Sequence, residues 1–210
     1  MDHNKNFLVI VLTGGPCGGK TSSFVEIKKL LEGLDYKIFT VPEVSTLLLS
    51  NGGTYPGESN RNDLLIYESS LLQLEINLQN TFFNIASLEK TKKKVILCDR
   101  GTLDVKAYMP IDVWEEVLGN LDETEKSLLS KYDLICHLTS TANGAEEFYS
   151  NQNNHVRLEN SEEAKLIDIK TLNCWNDHPN RFIVDNPKEG GFEKKMENLK
   201  NYIINFISSY

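Results

Sequence analysis

The 210-residue sequence predicts a three-layer, doubly wound α/β fold, with a parallel sheet covered by helices on both faces. Three observations carry this. Short continuous apolar runs alternate with longer segments of helical spacing, the pattern of strands buried on both faces. The first run, residues 7–13 (FLVIVLT), breaks into a glycine-rich loop that opens an amphipathic helix. Another run, residues 92–99 (KKKVILCD), ends in an acid.

The elements follow in order. Residues 7–13 read as the first buried strand, and residues 22–34 as a helix with Phe24, Ile27, Leu30, Leu31 and Leu34 at helical spacing. Residues 36–41 (YKIFTV) form a second strand, and VSTLLLSNGG a short helix stopped by glycines. Residues 62–89 carry Leu64, Leu71, Leu74, Leu78, Phe82 and Ile85 in threes, fours and a seven, with an adjacent stripe at Leu65, Leu72, Ile76 and Phe83. A helix this apolar packs against more than one neighbour. Residues 92–99, 132–139 and 181–186 complete five strands, and residues 193–207 close the chain as a helix. The acidic stretch at 114–126 reads as a solvated helix face.

Bulk properties narrow the class. One domain covering residues 1–210 is expected from this length, and it needs no disulfide or metal staple. A net charge of −8 argues against a nucleic-acid partner but leaves room for a local phosphate site. The longest aliphatic run is far too short to span a bilayer, so no transmembrane segment is expected. The polar first residues lack a signal region, and Cys17, Cys98, Cys136 and Cys174 are widely spaced with no CxxC. Both point to a cytoplasmic protein with reduced thiols.

Gly14, four residues, then Gly19, Lys20 and Thr21 complete the pattern G-x-x-x-x-G-K-[ST] of a P-loop. Glycines let successive N–H groups turn inward on an anion, and the following helix adds the positive end of its dipole. Gly14, Gly15, Pro16, Cys17, Gly18, Gly19, Lys20, Thr21 and Ser22 are therefore the expected triphosphate cradle. Lys20 would reach the β- and γ-phosphates, and the Thr21 hydroxyl would ligate Mg²⁺. Cys17 reads as a small loop filler.

Such a loop needs an acid for the metal's water shell, and Asp99 stands at the end of a strand to supply it. Arg100 follows, either to hold a transferring phosphoryl group or an anionic acceptor, or to orient Asp99. Glu43 ends the second strand, where ligands of open parallel sheets sit, and can take an acceptor hydroxyl's proton or orient a water. The polar stretch after the fourth strand suits a lid around residues 140–165, with Arg157 as its cation. Asp185 and Asn186 follow the last strand, and Asn186 is placed against the nucleotide base. His137 reads as a core or edge residue, and His155 and His178 lack metal-ligand spacing.

GGPCGGKT, VPEVSTLLLS, QNTFFNIA, VILCDRGTLD, STANGAEEFYS and WNDHP…VDN together resemble the nucleotide-binding domain of the insect TRPL translocation defect protein. That domain is grouped with the kinase domain of bacterial NadR, a ribosylnicotinamide kinase. The resemblance runs over roughly residues 7–205 and implies a kinase-like P-loop NTPase with sheet order 2-3-1-4-5. It also implies guanine nucleotide use for the insect member, Gly14 through Thr21 as phosphate loop, Asp99 and Arg100 as metal-side pair, and Arg157 as lid cation. The insect protein continues into a second domain resembling triphosphate-tunnel proteins, so functions resting on that domain are not carried over. Glu68 stands where a glutamine is expected, and acceptor recognition should differ accordingly.

The leading expectation is a Mg²⁺-dependent phosphotransferase or NTPase that binds ATP or GTP, with a small-molecule phosphoacceptor as partner. Lys20, Glu43, Arg100 and Arg157 are its catalytic residues. The alternative is a regulatory nucleotide switch acting through a protein partner in trafficking, weakened because no NKxD-like guanine signature is visible. A mechanical AAA-type ATPase is the weakest reading, since neither an extra helical lid domain nor a sensor or arginine-finger motif is visible.

Overall fold

A computed structural model describes residues 6–143 and 161–209. The first strand, β1 (Leu8–Thr13), is buried at every position. Its side chains alternate between two cores, as the two-residue period of a strand requires. Val9 and Val11 join Ile96, Cys98, Leu64 and Trp114 on one face; Leu8, Ile10 and Leu12 join Ile27, Leu31, Leu199 and Ile203 on the other. A continuous apolar run is therefore needed here, because neither face of the strand meets water.

Four more strands, β2 (Lys37–Val41), β3 (Lys94–Asp99), β4 (Leu134–Leu138) and β5 (Arg181–Val184), complete a parallel sheet in the order β2-β3-β1-β4-β5. This is the expected 2-3-1-4-5 order of a P-loop NTPase. Helices α1 (Lys20–Gly33) and α7 (Gly191–Ser208) cover one face, and α3 (Arg61–Ser87) and α4 (Ile111–Leu121) the other. Leu12 lies opposite Asp99 and Thr13 opposite His137. That register brings the carboxyl ends of the three central strands to one rim, where the site lies.

The remaining helices are α2 (Val44–Ser50), α5 (Glu125–Leu129), α6 (Ser161–Cys174) and a 3₁₀ helix at Thr102–Tyr108. Neither the 3₁₀ helix nor α6 is anticipated by the apolar spacing. Helix α1 starts at Lys20, directly after the loop, with Gly19 as its left-handed cap at φ 86°. Helix α4 differs from the expected solvated face: Val113, Trp114 and Val117 are buried, while Asp112, Glu115 and Glu116 face water. Of the expected lid, residues 144–160, including Arg157, lie outside the described residues; 140–143 form a turn and 161–165 begin α6. Among the described residues no helix is long and apolar enough to cross a membrane.

Candidate active site

The loop between β1 and α1 is built against β4. A Cβ on Gly14 would stand 2.2 Å from the Leu138 carbonyl oxygen, and one on Gly18 would stand 2.5 Å from the same atom. Gly14 also has φ 135°, which a side chain would oppose. Gly14, Gly15, Pro16 and Gly18 are buried, while Cys17 and Gly19 are half-buried, Cys17 with φ 56°. Thr21 and Ser22 are exposed in the first turn of α1, whose leading N–H groups have no partners within the helix.

Lys20 is buried, and its Nζ donates to the Gly14 and Gly15 carbonyls, both at 2.8 Å. Burial, with Arg100 adding to it, pulls its pKa down to about 8. The ammonium is thereby held at the loop's inner rim, and an anion bound there would raise its pKa again.

Across the rim, Arg100 Nε donates to Glu43 Oε1, and Arg100 Nη1 reaches the Gly14 carbonyl at 3.4 Å. The Glu43 Oε2 accepts from Thr46 Oγ1 at 2.5 Å. Burial pushes the Glu43 pKa up, but Arg100, Lys20 and the Thr46 hydroxyl outweigh it and bring it to about 2. Burial likewise opposes the charge of Arg100, yet Tyr108, Glu43 and Asp104 hold its pKa well above the ordinary value. Arg100 has φ 72°, a conformation uncommon for a side chain this long. Its amide donates to the Leu12 carbonyl at 3.0 Å, which ties that turn to β1. The ion pair expected to orient Asp99 is not the one found: Arg100 pairs with Glu43 instead.

Asp99 Oδ1 is buried and accepts no hydrogen bond from the described residues. Burial first, then the nearby Glu43 charge, raises its pKa. A buried carboxylate oxygen left open at this rim suits the water shell of Mg²⁺, which keeps most of its own waters. Among the described residues no group of three or more His, Cys, Asp and Glu could cage a metal. A P-loop metal needs no such cage, since hydroxyl, waters and phosphates supply its ligands.

Several residues that support the site were missed in the sequence. Asp168 on α6 accepts from the Gly15 amide (2.8 Å), the Ser140 amide (3.2 Å) and His137 Nε2 (3.1 Å). His137 thus lies in the core, as expected, but serves as a partner of this buried carboxylate. Asp104 accepts from Thr13 Oγ1 at 2.5 Å and Trp175 Nε1 at 2.7 Å, anchoring the turn after Arg100 beneath β1. Lys195 on α7 is buried and donates to the carbonyls of Gly18 (3.1 Å) and Thr139 (2.6 Å) and to Asn186 Oδ1 (2.9 Å). Asn186 Nδ2 in turn donates to the Ser140 and Asn143 carbonyls, both at 2.8 Å. The amide placed against the base by sequence is therefore engaged in bracing the turn at 139–143. Glu75 on α3 is buried with Gln79 Nε2 on its Oε1 at 3.2 Å, and burial drives its pKa up to about 8.

A signal for Lys195 did exist: it falls one turn before Leu199 and two before Ile203, on the buried stripe of its helix. Glu68 and Glu75 share the same property on α3. Asp168 carried none, because its partners come from distant parts of the chain.

A family model described as an AAA domain matches residues 9–195. The chain belongs to that family. With its sheet order and loop, it is a P-loop NTPase domain, a broader assignment than the TRPL and NadR group it resembles. The curated proteins contain no match to it.

Proposed function

We propose that this P-loop domain transfers the γ-phosphoryl group of ATP or GTP, with Mg²⁺, to a hydroxyl of a small molecule. The observation that carries this is the Arg100–Glu43 pair, held against the Gly14 carbonyl beside Lys20. A nucleotide switch needs the cradle alone; this chain adds a fixed cation and a fixed carboxylate at the end where the γ-phosphate would lie. Family membership keeps a mechanical role in view, but the cation and carboxylate on which transfer is argued both belong to this chain.

Lys20 and the first-turn N–H groups of α1 would hold the β- and γ-phosphates. Thr21 and Asp99 would hold Mg²⁺, which when bound offsets charge on the phosphate oxygens. Arg100 would steady the moving phosphoryl group as its bond to the β-phosphate oxygen breaks and one to the acceptor oxygen forms. A carboxylate at about 2 is a weak proton sink. In a loose transition state positioning outweighs proton removal. Glu43 is therefore assigned to fix Arg100 and to accept a hydrogen bond from the acceptor hydroxyl, whose proton then passes to solvent. Arg157, outside the described residues, keeps its proposed role as a lid cation.

The test is incubation with γ-labelled ATP or GTP, Mg²⁺ and a panel of nucleosides, sugars and other hydroxylated metabolites. Label appearing on one acceptor, and lost in Arg100→Ala, supports transfer. Nucleotide binding without label on any acceptor, together with different hydrogen exchange at 140–165 in the di- and triphosphate states, would replace it by the switch reading.

A further inference from the structure

Phe192, at the start of α7, is 46% exposed and stands against the phosphate loop. A Cβ on Gly19 would lie 2.6 Å from its Cε2, with Cδ2 and Cζ both at 3.5 Å. That spacing marks an edge-on approach; from above the ring, the two flanking atoms would be nearly as near as Cε2. The ring therefore meets Gly19 by its rim, and its faces are turned away from that glycine. It is delivered by Gly190 and Gly191, both with positive φ, which swing the chain from β5 into α7.

A nucleotide with its phosphates in the loop can direct its base to one of two sides. Toward β3 lie Glu43, Asp99 and Arg100, a crowded set of charges suited to the reacting end. Toward β4 and β5 lie the turn at 139–143, the segment after Val184, and Phe192. Asn186 on that side has both amide hydrogens on carbonyls, so it can donate nothing to a base edge, and its oxygen, already held by Lys195, keeps a single acceptor position.

Resting on the reading above, we propose that the base of the nucleoside triphosphate stacks on the face of Phe192, and that this ring is the base-binding residue in place of Asn186. Every base has a π-face, so stacking tolerates sequence and edge chemistry. The site then takes adenine and guanine nucleotides alike.

The test is calorimetric titration of the full chain with ATP, GTP and inorganic tripolyphosphate, each with Mg²⁺. Wild type should hold both nucleotides more tightly than tripolyphosphate. Phe192→Ala and Phe192→Leu should weaken ATP and GTP by a similar factor, about tenfold, and leave tripolyphosphate within about twofold. Phe192→Trp should retain nucleotide affinity. Equal weakening of all three ligands would mean that the ring only supports the loop. An unchanged Phe192→Leu would mean that apolar cover suffices. Either result overturns the proposal, as does wild type binding tripolyphosphate as tightly as ATP, which leaves the phosphate site standing. Wild type binding none of the three would remove the proposed function itself, and this inference with it.

Discussion

Replacing Glu75 by glutamine should make the protein more stable at alkaline pH and nearly unchanged at acid pH. Glu75 lies on the buried face of α3, with the Asp104 and Glu43 charges near it and only Arg100 opposing them. Burial first, then Asp104, carries its pKa from 4.5 to about 8. The folded-state value is the raised one, so the stability this group contributes is full below 4.5 and lost as pH rises through about 8. At about 1.4 kcal/mol per tenfold change in proton affinity, about 3 kcal/mol is lost between roughly pH 5 and pH 8. The glutamine variant has no proton to lose, and its amide oxygen can still accept from Gln79. At about 2–4 °C per kcal/mol for a chain of this size, its Tm should exceed that of wild type by roughly 10 °C at pH 8. The gap should be at most about 3 °C at pH 5. Thermal melts of the two proteins side by side from pH 5 to pH 8 read this directly, because other titrating groups cancel in the difference. A gap that does not widen with pH would show that Glu75 is not held neutral by its surroundings.

Three further outcomes follow from the site. Gly18→Ala would press a methyl group within 2.5 Å of the Leu138 carbonyl oxygen, so nucleotide binding should be lost while far-UV circular dichroism stays as in wild type; normal affinity would refute this packing. Asp168→Ala leaves the Gly15 and Ser140 amides and His137 Nε2 without their acceptor, at a cost of about 3 kcal/mol in urea unfolding at neutral pH. Burial opposes ionisation of Asp168, but His137 and those two amides hold its pKa below the ordinary value, so the deficit should shrink as pH falls toward the acid range. Arg100→Lys keeps the charge but loses the planar fork that joins Glu43 to the Gly14 carbonyl; kcat for transfer should fall about 100-fold with KM little changed, and a loss confined to KM would contradict a role in the transition state.

The strands were legible because each is a short apolar run, and the run over 7–13 announced by its composition alone that both faces are buried. The loop was legible because its residue types are forced: a Cβ on Gly14 would run into the Leu138 carbonyl, and Gly19 takes a left-handed conformation before Lys20. What stayed hidden depends on contacts between distant segments. Asp168 is 153 residues from the Gly15 amide it accepts, and no local pattern marks it. The 3₁₀ helix at Thr102–Tyr108 is held by Asp104 under Thr13 and Trp175, again at long range. Glu43 could be placed at the rim from its position after a strand, but its pairing with Arg100 depended on the adjacency of β2 and β3. Asn186 was expected against the base from its place after the last strand; that both of its amide hydrogens are taken by the Ser140 and Asn143 carbonyls and its oxygen by Lys195 depends on α7 and the 139–143 turn, which no local pattern reveals.

The most direct measurement is Mg²⁺-dependent binding of ATP and GTP by wild type and Lys20→Met, followed by calorimetry. The ammonium at the loop's inner rim should account for much of the triphosphate affinity, so wild type should bind one nucleotide per chain and Lys20→Met at least about tenfold more weakly, both proteins being equally folded. Equal affinity in the two proteins, or no binding of either nucleotide by wild type, would contradict the account of the loop as a triphosphate cradle.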